Sequence, residues 1–194
     1  MSLIIGLTGP TGSGKTTVSK AAKDLGFKVI DCDKLARKAV EKGEEGLKAV
    51  VNAFGEDILL ANGELNRKEL AKKAFSTEEK TELLNKTLLP HIVEKVKAEI
   101  NGENVLLDAP TLFESGLDSI CKYTVAVLSD ENIRKMRIIN RDGLTEEEAL
   151  LRMNAGKKDD YYLKKTDNII YNNGTEAELY GAATEIFKKL LGGN

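Results

Sequence analysis

One stretch limits the fold of this chain more than any other: Gly9-Pro10-Thr11-Gly12-Ser13-Gly14-Lys15-Thr16, which satisfies G-x-x-x-x-G-K-[ST] at every fixed position. Ahead of it, residues 3–7 form an apolar run of strand length; behind it, residues 17–25 space Val18, Ala21, Ala22 and Leu25 along one helical face. Strand, glycine-rich loop and helix, in that order, is the setting in which this motif closes around phosphate. Glycines have no Cβ, so successive backbone N–H groups can turn inward onto phosphate oxygens. The helix that follows points its positive end at the same anion. The loop from Thr11 through Gly12, Ser13 and Gly14 to Thr17 is therefore expected to cradle the phosphates. Lys15 is expected to reach the β- and γ-phosphates, and the Thr16 hydroxyl to ligate Mg²⁺. The blander reading is a glycine-rich turn that happens to precede a lysine. With both flanks right, the chain is expected to bind a nucleoside triphosphate.

Length and composition bound the rest. A chain of 194 residues, 41% hydrophobic and 31% charged, suits one α/β domain with room for an inserted subdomain. The formal net charge of −2 argues against a dedicated nucleic-acid binder. Cys32 and Cys121 make neither a disulfide framework nor a metal set, which points to a reducing, cytoplasmic setting. No apolar run reaches the roughly 18 to 20 residues of a membrane span. The N-terminus enters a strand at once, so no signal peptide is expected.

After the first helix, Gly26 reads as its C-terminal stop and residues 27–30 as a second strand ending in Asp31-Cys32-Asp33. Parallel α/β sheets carry their chemistry at the carboxyl ends of strands, so these two carboxylates are well placed beside the loop. One of them is expected to cap a helix starting near Lys34 and the other to act, with Asp33 favoured for action. From Lys34 to about Asn101 the reading is almost wholly helical. Leu35, Ala36, Ala39 and Val40 form one apolar stripe, and Leu47, Val50, Val51 and Phe54 another. Asn66 is expected to cap a helix from Arg67, and Ser76 with Glu79 to form a capping box for the next. So much helix between two strands exceeds a single crossover and suggests an insertion for a second substrate. His91, the only histidine, has no metal or nucleophile context and is read as structural.

Residues 105–108 read as a third strand ending in Asp108, which is balanced between holding Mg²⁺ through water and a plain strand-end hydrogen bond. A fourth strand, 124–128, closes on Ser129 as a cap. The charged helix that follows carries Arg134, Lys135 and Arg137, with Arg141 just beyond. Such runs are usually solvated faces. Arg141-Asp142-Gly143, however, falls where phosphoryl-transfer enzymes of this build carry a lid, and a planar guanidinium suits a transferring phosphoryl group. Thr145 with Glu148 and Thr175 with Glu178 are further capping boxes. Between them, residues 168–171 read as the last strand, followed by the turn Asn172-Asn173-Gly174. The closing helix is expected to turn Leu179, Ala182, Ala183, Ile186 and Leu190 inward.

Taken together, the phosphate loop, Asp31-Cys32-Asp33, the helix start at Asn66-Arg67, Asp108-Ala109-Pro110-Thr111-Leu112-Phe113-Glu114, and Asp167-Asn168-Ile169-Ile170 with Asn172-Asn173-Gly174 resemble the dephospho-coenzyme A kinases, nearly end to end. The resemblance implies a three-layer α/β/α P-loop fold on a parallel five-stranded sheet. The core is then 1–33, 103–130 and 165–194, the substrate-binding helical insertion 34–102 and the helical lid 131–164. It implies transfer of the ATP γ-phosphoryl group to the ribose 3′-hydroxyl of dephospho-coenzyme A, the last step of coenzyme A synthesis, by a cytoplasmic monomer or weak homo-oligomer. By position, Asp33 takes the hydroxyl proton with Asp31 in support, Arg141 steadies the phosphoryl group, and Asn172 to Gly174 lie by the adenine. The carboxylate assisting Mg²⁺ stays open among Asp31, Asp33 and Asp108. The chain departs from the family pattern at Pro90-His91, where the order is usually reversed, and at Gly156, usually a glutamine late in the lid. Thr166 and Thr111 are further departures. Two other readings share the loop: a small P-loop kinase for another alcohol, and a GTPase-like switch. The switch would need Asn-Lys-x-Asp, and Asn85-Lys86-Thr87-Leu88 lacks the aspartate.

Overall fold

The computed structural model describes residues 2–193. Five strands, β1 (Ile4–Thr8), β2 (Lys28–Asp31), β3 (Val105–Asp108), β4 (Tyr123–Leu128) and β5 (Asn168–Tyr171), form one parallel sheet in the order β2-β3-β1-β4-β5. Nine α-helices among the described residues connect them: α1 (Lys15–Asp24), α2 (Cys32–Ala39), α3 (Glu45–Phe54), α4 (Arg67–Ala74), α5 (Glu78–Glu99), α6 (Glu131–Asp142), α7 (Glu146–Asn154), α8 (Asp159–Lys165) and α9 (Glu176–Gly192). Since β1 lies between β3 and β4, the chain leaves it toward one edge of the sheet and later fills in the other. The phosphate loop thus opens at the switch in strand order where α/β sheets bind ligands.

Alternation along the central strands sorts their side chains into two layers. Ile5, Leu7, Val125 and Val127 meet Val18, Ala21 and Ala22 of α1 and Leu179, Ala183 and Phe187 of α9 in one core. Ala126 and Leu128 point to the other face and pack with Tyr162 of α8. Gly6 also belongs to that other face; a Cβ there would lie 2.6 Å from Leu112 Cδ2 and 3.0 Å from Cys121 Sγ, so the centre of β1 has no room for a side chain. The end of α1 is a double-bonded stop: Gly26 N–H donates to the Lys23 carbonyl and Phe27 N–H to that of Ala22.

The chain divides into two compact units. One takes in the chain up to Ile30, Gly102–Leu112 and everything from Ile120 onward, which includes α6, α7 and α8 with the sheet. The other is Asp31–Asn101 with Phe113–Ser119, built around Val40, Val50, Ile58, Leu70, Ala74 and Leu84. In this second unit α5 runs unbroken for 22 residues through Pro90, and His91 packs where a Cβ on Gly46 would come within 3.4 Å of its own.

The expected caps at Asn66, Thr145 and Thr175 are all present, each accepting from the backbone N–H three residues on. Four details differ from the sequence reading. The chain turns helical at Cys32 rather than Lys34, because Asp31 itself caps α2 by accepting from Lys34 N–H at 3.0 Å. α5 is capped by Thr77, which accepts from Lys80 N–H, while the Ser76 hydroxyl donates back to the Lys73 carbonyl and closes α4. α6 is capped by Asp130; Ser129, expected in that role, is buried and donates to the Asn172 carbonyl. α8 has no counterpart in the sequence reading, because a seven-residue helix carries too few periodic positions to register.

Candidate active site

The phosphate loop leaves β1 and ends at Gly14, which sits at φ 104° as the residue preceding α1 and supplies no capping side chain. The start of α1 therefore carries no capping side chain, and a helix start of this kind suits an anion. Only glycine serves here: a Cβ would strain the left-handed backbone and lie 2.3 Å from Asn172 Nδ2. Within the loop the Ser13 hydroxyl is wholly buried and has no hydrogen-bond partner. An orphaned donor inside a glycine cradle is what a phosphate oxygen completes. Lys15 folds across the loop, its Nζ donating to the Gly9 carbonyl at 2.7 Å and to that of Pro10 at 3.3 Å. Thr16 is exposed on the first turn of α1, and Thr17 donates its N–H to the Gly14 carbonyl at 3.1 Å.

The loop is braced from two sides. Thr8, fully buried at the end of β1, donates its hydroxyl to the Pro110 carbonyl just after β3. One turn into α1, Ser19 donates to Asp108 Oδ2 at 3.0 Å. The strand-end hydrogen bond weighed for Asp108 therefore exists, and it holds a carboxylate against the helix that carries Thr16.

On the β5 side, Asn172 is 4% exposed and uses both ends of its amide. Its Nδ2 donates to the Ser13 carbonyl at 2.7 Å, and its Oδ1 accepts from Arg137 Nη2 at 3.1 Å. Arg137 Nη1 also donates to the Asn172 carbonyl and to the Ser129 hydroxyl, both at 3.2 Å. The residue expected beside the adenine thus has its side chain committed to the loop; Gly174, two residues on, is exposed.

This network corrects the reading of the charge run on α6 as a solvated face. Arg137 is partly buried in it and Arg134 is 5% exposed. Sequence reasoning missed Arg137 as a functional residue. The one available signal was that it precedes Arg141 by four residues and so shares its helix face. Arg141 itself is exposed and grips Asp142 with two bonds, Nε to Oδ1 and Nη2 to Oδ2, both 2.8 Å. Asp142 also accepts from Arg152 at 2.7 Å. The hydrogen bonds of this pair hold the Asp142 carboxyl below the usual aspartate range and raise Arg141. In the second unit, with Asp31 spent as a cap, Asp33 stands exposed in the first turn of α2.

Among the described residues no group of three or more His, Cys, Asp or Glu is arranged to hold a metal. A divalent ion with an affinity for oxygen, bound mainly by phosphate and water, needs only one or two protein oxygens. Thr16 and Asp108 are of that kind.

Against known proteins, the family model described as dephospho-CoA kinase matches residues 3–178. The dephospho-CoA kinase of Geobacillus kaustophilus is 40% identical over 195 residues, covering 97% of each chain. Among solved structures, a Thermus thermophilus protein superposes with a TM-score of 0.74 at 30% identity, over 97% of this chain and 98% of that one. The dephospho-CoA kinase of Campylobacter jejuni follows at 0.66 and 25% identity, over all of both chains.

Proposed function

This chain belongs to the dephospho-CoA kinase family, and on that basis we infer that it phosphorylates dephospho-coenzyme A at the ribose 3′-hydroxyl with ATP, giving coenzyme A and ADP. The observation that carries the reading is the phosphate loop: an uncapped helix start at a left-handed glycine, an orphaned Ser13 hydroxyl and Lys15 across the mouth. These groups suit the β- and γ-phosphates of ATP.

The remaining residues divide the labour. The 3′-oxygen attacks the γ-phosphorus, and the bond from phosphorus to the bridging oxygen of ADP breaks. Asp33 accepts the hydroxyl proton. A ribose hydroxyl is far too weak an acid to ionise at neutral pH, so an oriented acceptor serves better than a strong base. Asp31 supports it by fixing the start of the helix on which it stands. Lys15 steadies the charge on the phosphates, and Arg141 exchanges Asp142 for the transferring phosphoryl group. Gly174 and the backbone at Asn172 flank the adenine, while the Asn172 side chain keeps the loop in shape. Thr16, assisted by Asp108, holds Mg²⁺, which when bound neutralises charge on the β- and γ-phosphates. The segment 34–102 receives the acceptor. Its groove of about 200 Å³ has an almost wholly apolar lining, including Val40, Leu70 and Phe75, with Arg37 and Arg67 among its residues. An acceptor that joins a long organic arm to a diphosphate matches that mixture. Residues 131–164 act as the lid, and the enzyme works in the cytoplasm as a monomer or weak homo-oligomer.

The test compares ATP consumption with dephospho-coenzyme A, adenosine, AMP and shikimate, for the parent chain and for Asp33→Asn. Turnover is expected with dephospho-coenzyme A alone, and the variant is expected to lose roughly 10²–10⁴-fold in kcat. ATP binding should persist in the variant, since Asp33 lies outside the phosphate loop. A variant that turns over normally would remove Asp33 from the mechanism, and turnover with another alcohol would replace the acceptor.

A further inference from the structure

Arginine is rarely buried unless its charge and its five donors are satisfied. Arg134 breaks that pattern. Its side chain is 6% exposed, and its nearest carboxylates are Asp159 Oδ1 at 3.6 Å and Glu131 Oε1 at 3.9 Å. Both are beyond hydrogen-bonding distance. Its Nε has no partner, and neither does Asp159 Oδ1. Two carboxylates balance the guanidinium's charge, and its Nε donor is left over.

It lines a cavity of about 100 Å³ between α6 and the connection from α7 to α8. Four cationic residues, Arg134, Lys135, Lys157 and Lys158, line this space beside the carboxylate of Glu131, with that of Asp159 3.6 Å from Arg134; Asn132 and Asn154 add amides, and Leu150 and Met153 an apolar part. Lys135 is neutralised by Glu146, and Lys157 lies 5.3 Å from the centre of the Tyr161 ring. The cavity therefore keeps an excess of positive charge. Gly156 contributes no side chain to fill it. It is too small for a nucleoside and suited to one tetrahedral oxyanion.

We propose that this cavity is a second phosphate-binding site, taking a single phosphate group on Arg134, Lys157 and Lys158, separate from the phosphate loop. A phosphate oxygen supplies the acceptors that Arg134 lacks, and planar guanidinium donors match it better than two carboxylates out of reach. The site also has a route to the loop. A Cβ on Gly12 would lie 2.9 Å from the Arg134 carbonyl oxygen and 3.1 Å from Ile138 Cγ1, so the helix carrying Arg134 backs the loop directly. An anion that draws Lys157 and Lys158 onto α6 would fix the position of the segment just before α8. None of this depends on which alcohol the enzyme phosphorylates.

The test fills the phosphate loop first. The full chain, saturated with ADP and magnesium chloride, is titrated with inorganic phosphate, with AMP, and with sodium chloride at matched ionic strength, following Tm. Phosphate is expected to raise Tm by at least about 2 °C where chloride does not. The rise should vanish in Arg134→Gln and in the double variant Lys157→Ser, Lys158→Ser. The double variant changes only exposed residues, so it remains informative if Arg134→Gln destabilises the fold. A response to AMP but not to phosphate, lost in the same variants, would identify an ester-borne phosphate as the occupant. No response to either anion, or a response that both variants retain in full, would overturn the proposal.

Discussion

At the scale of single residues, two of this protein's buried polar side chains, Thr8 and Asn172, brace one loop. Asn172 is the clearer case, since a single amide ties Ser13 to Arg137 and so joins the phosphate loop to α6. Replacing it with alanine strands a backbone carbonyl and a guanidinium donor in a buried place. The expected cost is about 1–3 kcal/mol. In a chain of this length that lowers Tm by roughly 2–4 °C per kcal/mol. The kinetic signature should be a raised KM for ATP with kcat less affected, because the loop loses its brace while its donors remain. An Asn172→Ala variant with an unchanged KM would mean that Thr8 and Ser19 hold the loop by themselves. Arg141 makes the complementary point. Its type and position suggest catalysis, yet in the structure both its inner donors are taken by its neighbour Asp142.

At the scale of elements, most helix starts are written in the local sequence. Asp31, Asn66, Thr145 and Thr175 each accept from the N–H three residues on, and at Thr145 and Thr175 the glutamate reaches back to complete the box. The backbone N–H of each threonine, and then its hydroxyl, lowers the carboxyl of Glu148 or Glu178 below the usual glutamate range. A carboxyl depressed in the folded state contributes stability that is fully present above its unfolded value and is lost as pH falls through the folded one. Acid unfolding followed by circular dichroism should therefore lose part of its pH dependence, on the acid side of the glutamate range, in Glu148→Gln, Glu178→Gln. An acid limb identical to that of the parent would show that the boxes contribute nothing beyond their threonines. Where the caps differ from expectation, at Ser76 and Ser129, a second capping residue stands next along the chain, and the neighbouring turn decides between them.

At the scale of the whole molecule, stability rests on the layer that joins the sheet to α1 and α9. Phe187 is fully buried there and meets Phe27 with ring centroids 5.5 Å apart. The apolar stripe expected on α9 takes in its neighbours and passes over this residue, the largest fully buried side chain among the described residues. Phe187→Ala should cost about 3–5 kcal/mol, read as a fall in the denaturation midpoint at unchanged m-value. Well below the new Tm, kcat should match that of the parent, since no phosphate-loop residue belongs to the core that Phe187 fills. A loss of kcat in fully folded protein would mean that this layer also tunes the loop.

The phosphate loop, the five strands, most of the helix caps and the family are legible in the amino-acid sequence alone. All of these are signals carried within a few residues, by φ at a glycine, by a side chain reaching three positions ahead, or by the alternation of apolar positions. Packing in three dimensions was needed for the strand order, the partners of Asn172, and the separate fates of three arginines on one helix: Arg134 buried, Arg137 bonded to a loop 35 residues away, and Arg141 held by its neighbour. A guanidinium at the end of a long flexible stem reaches whatever acceptor the packing of distant elements brings near, and that acceptor is absent from the arginine's own stretch of chain.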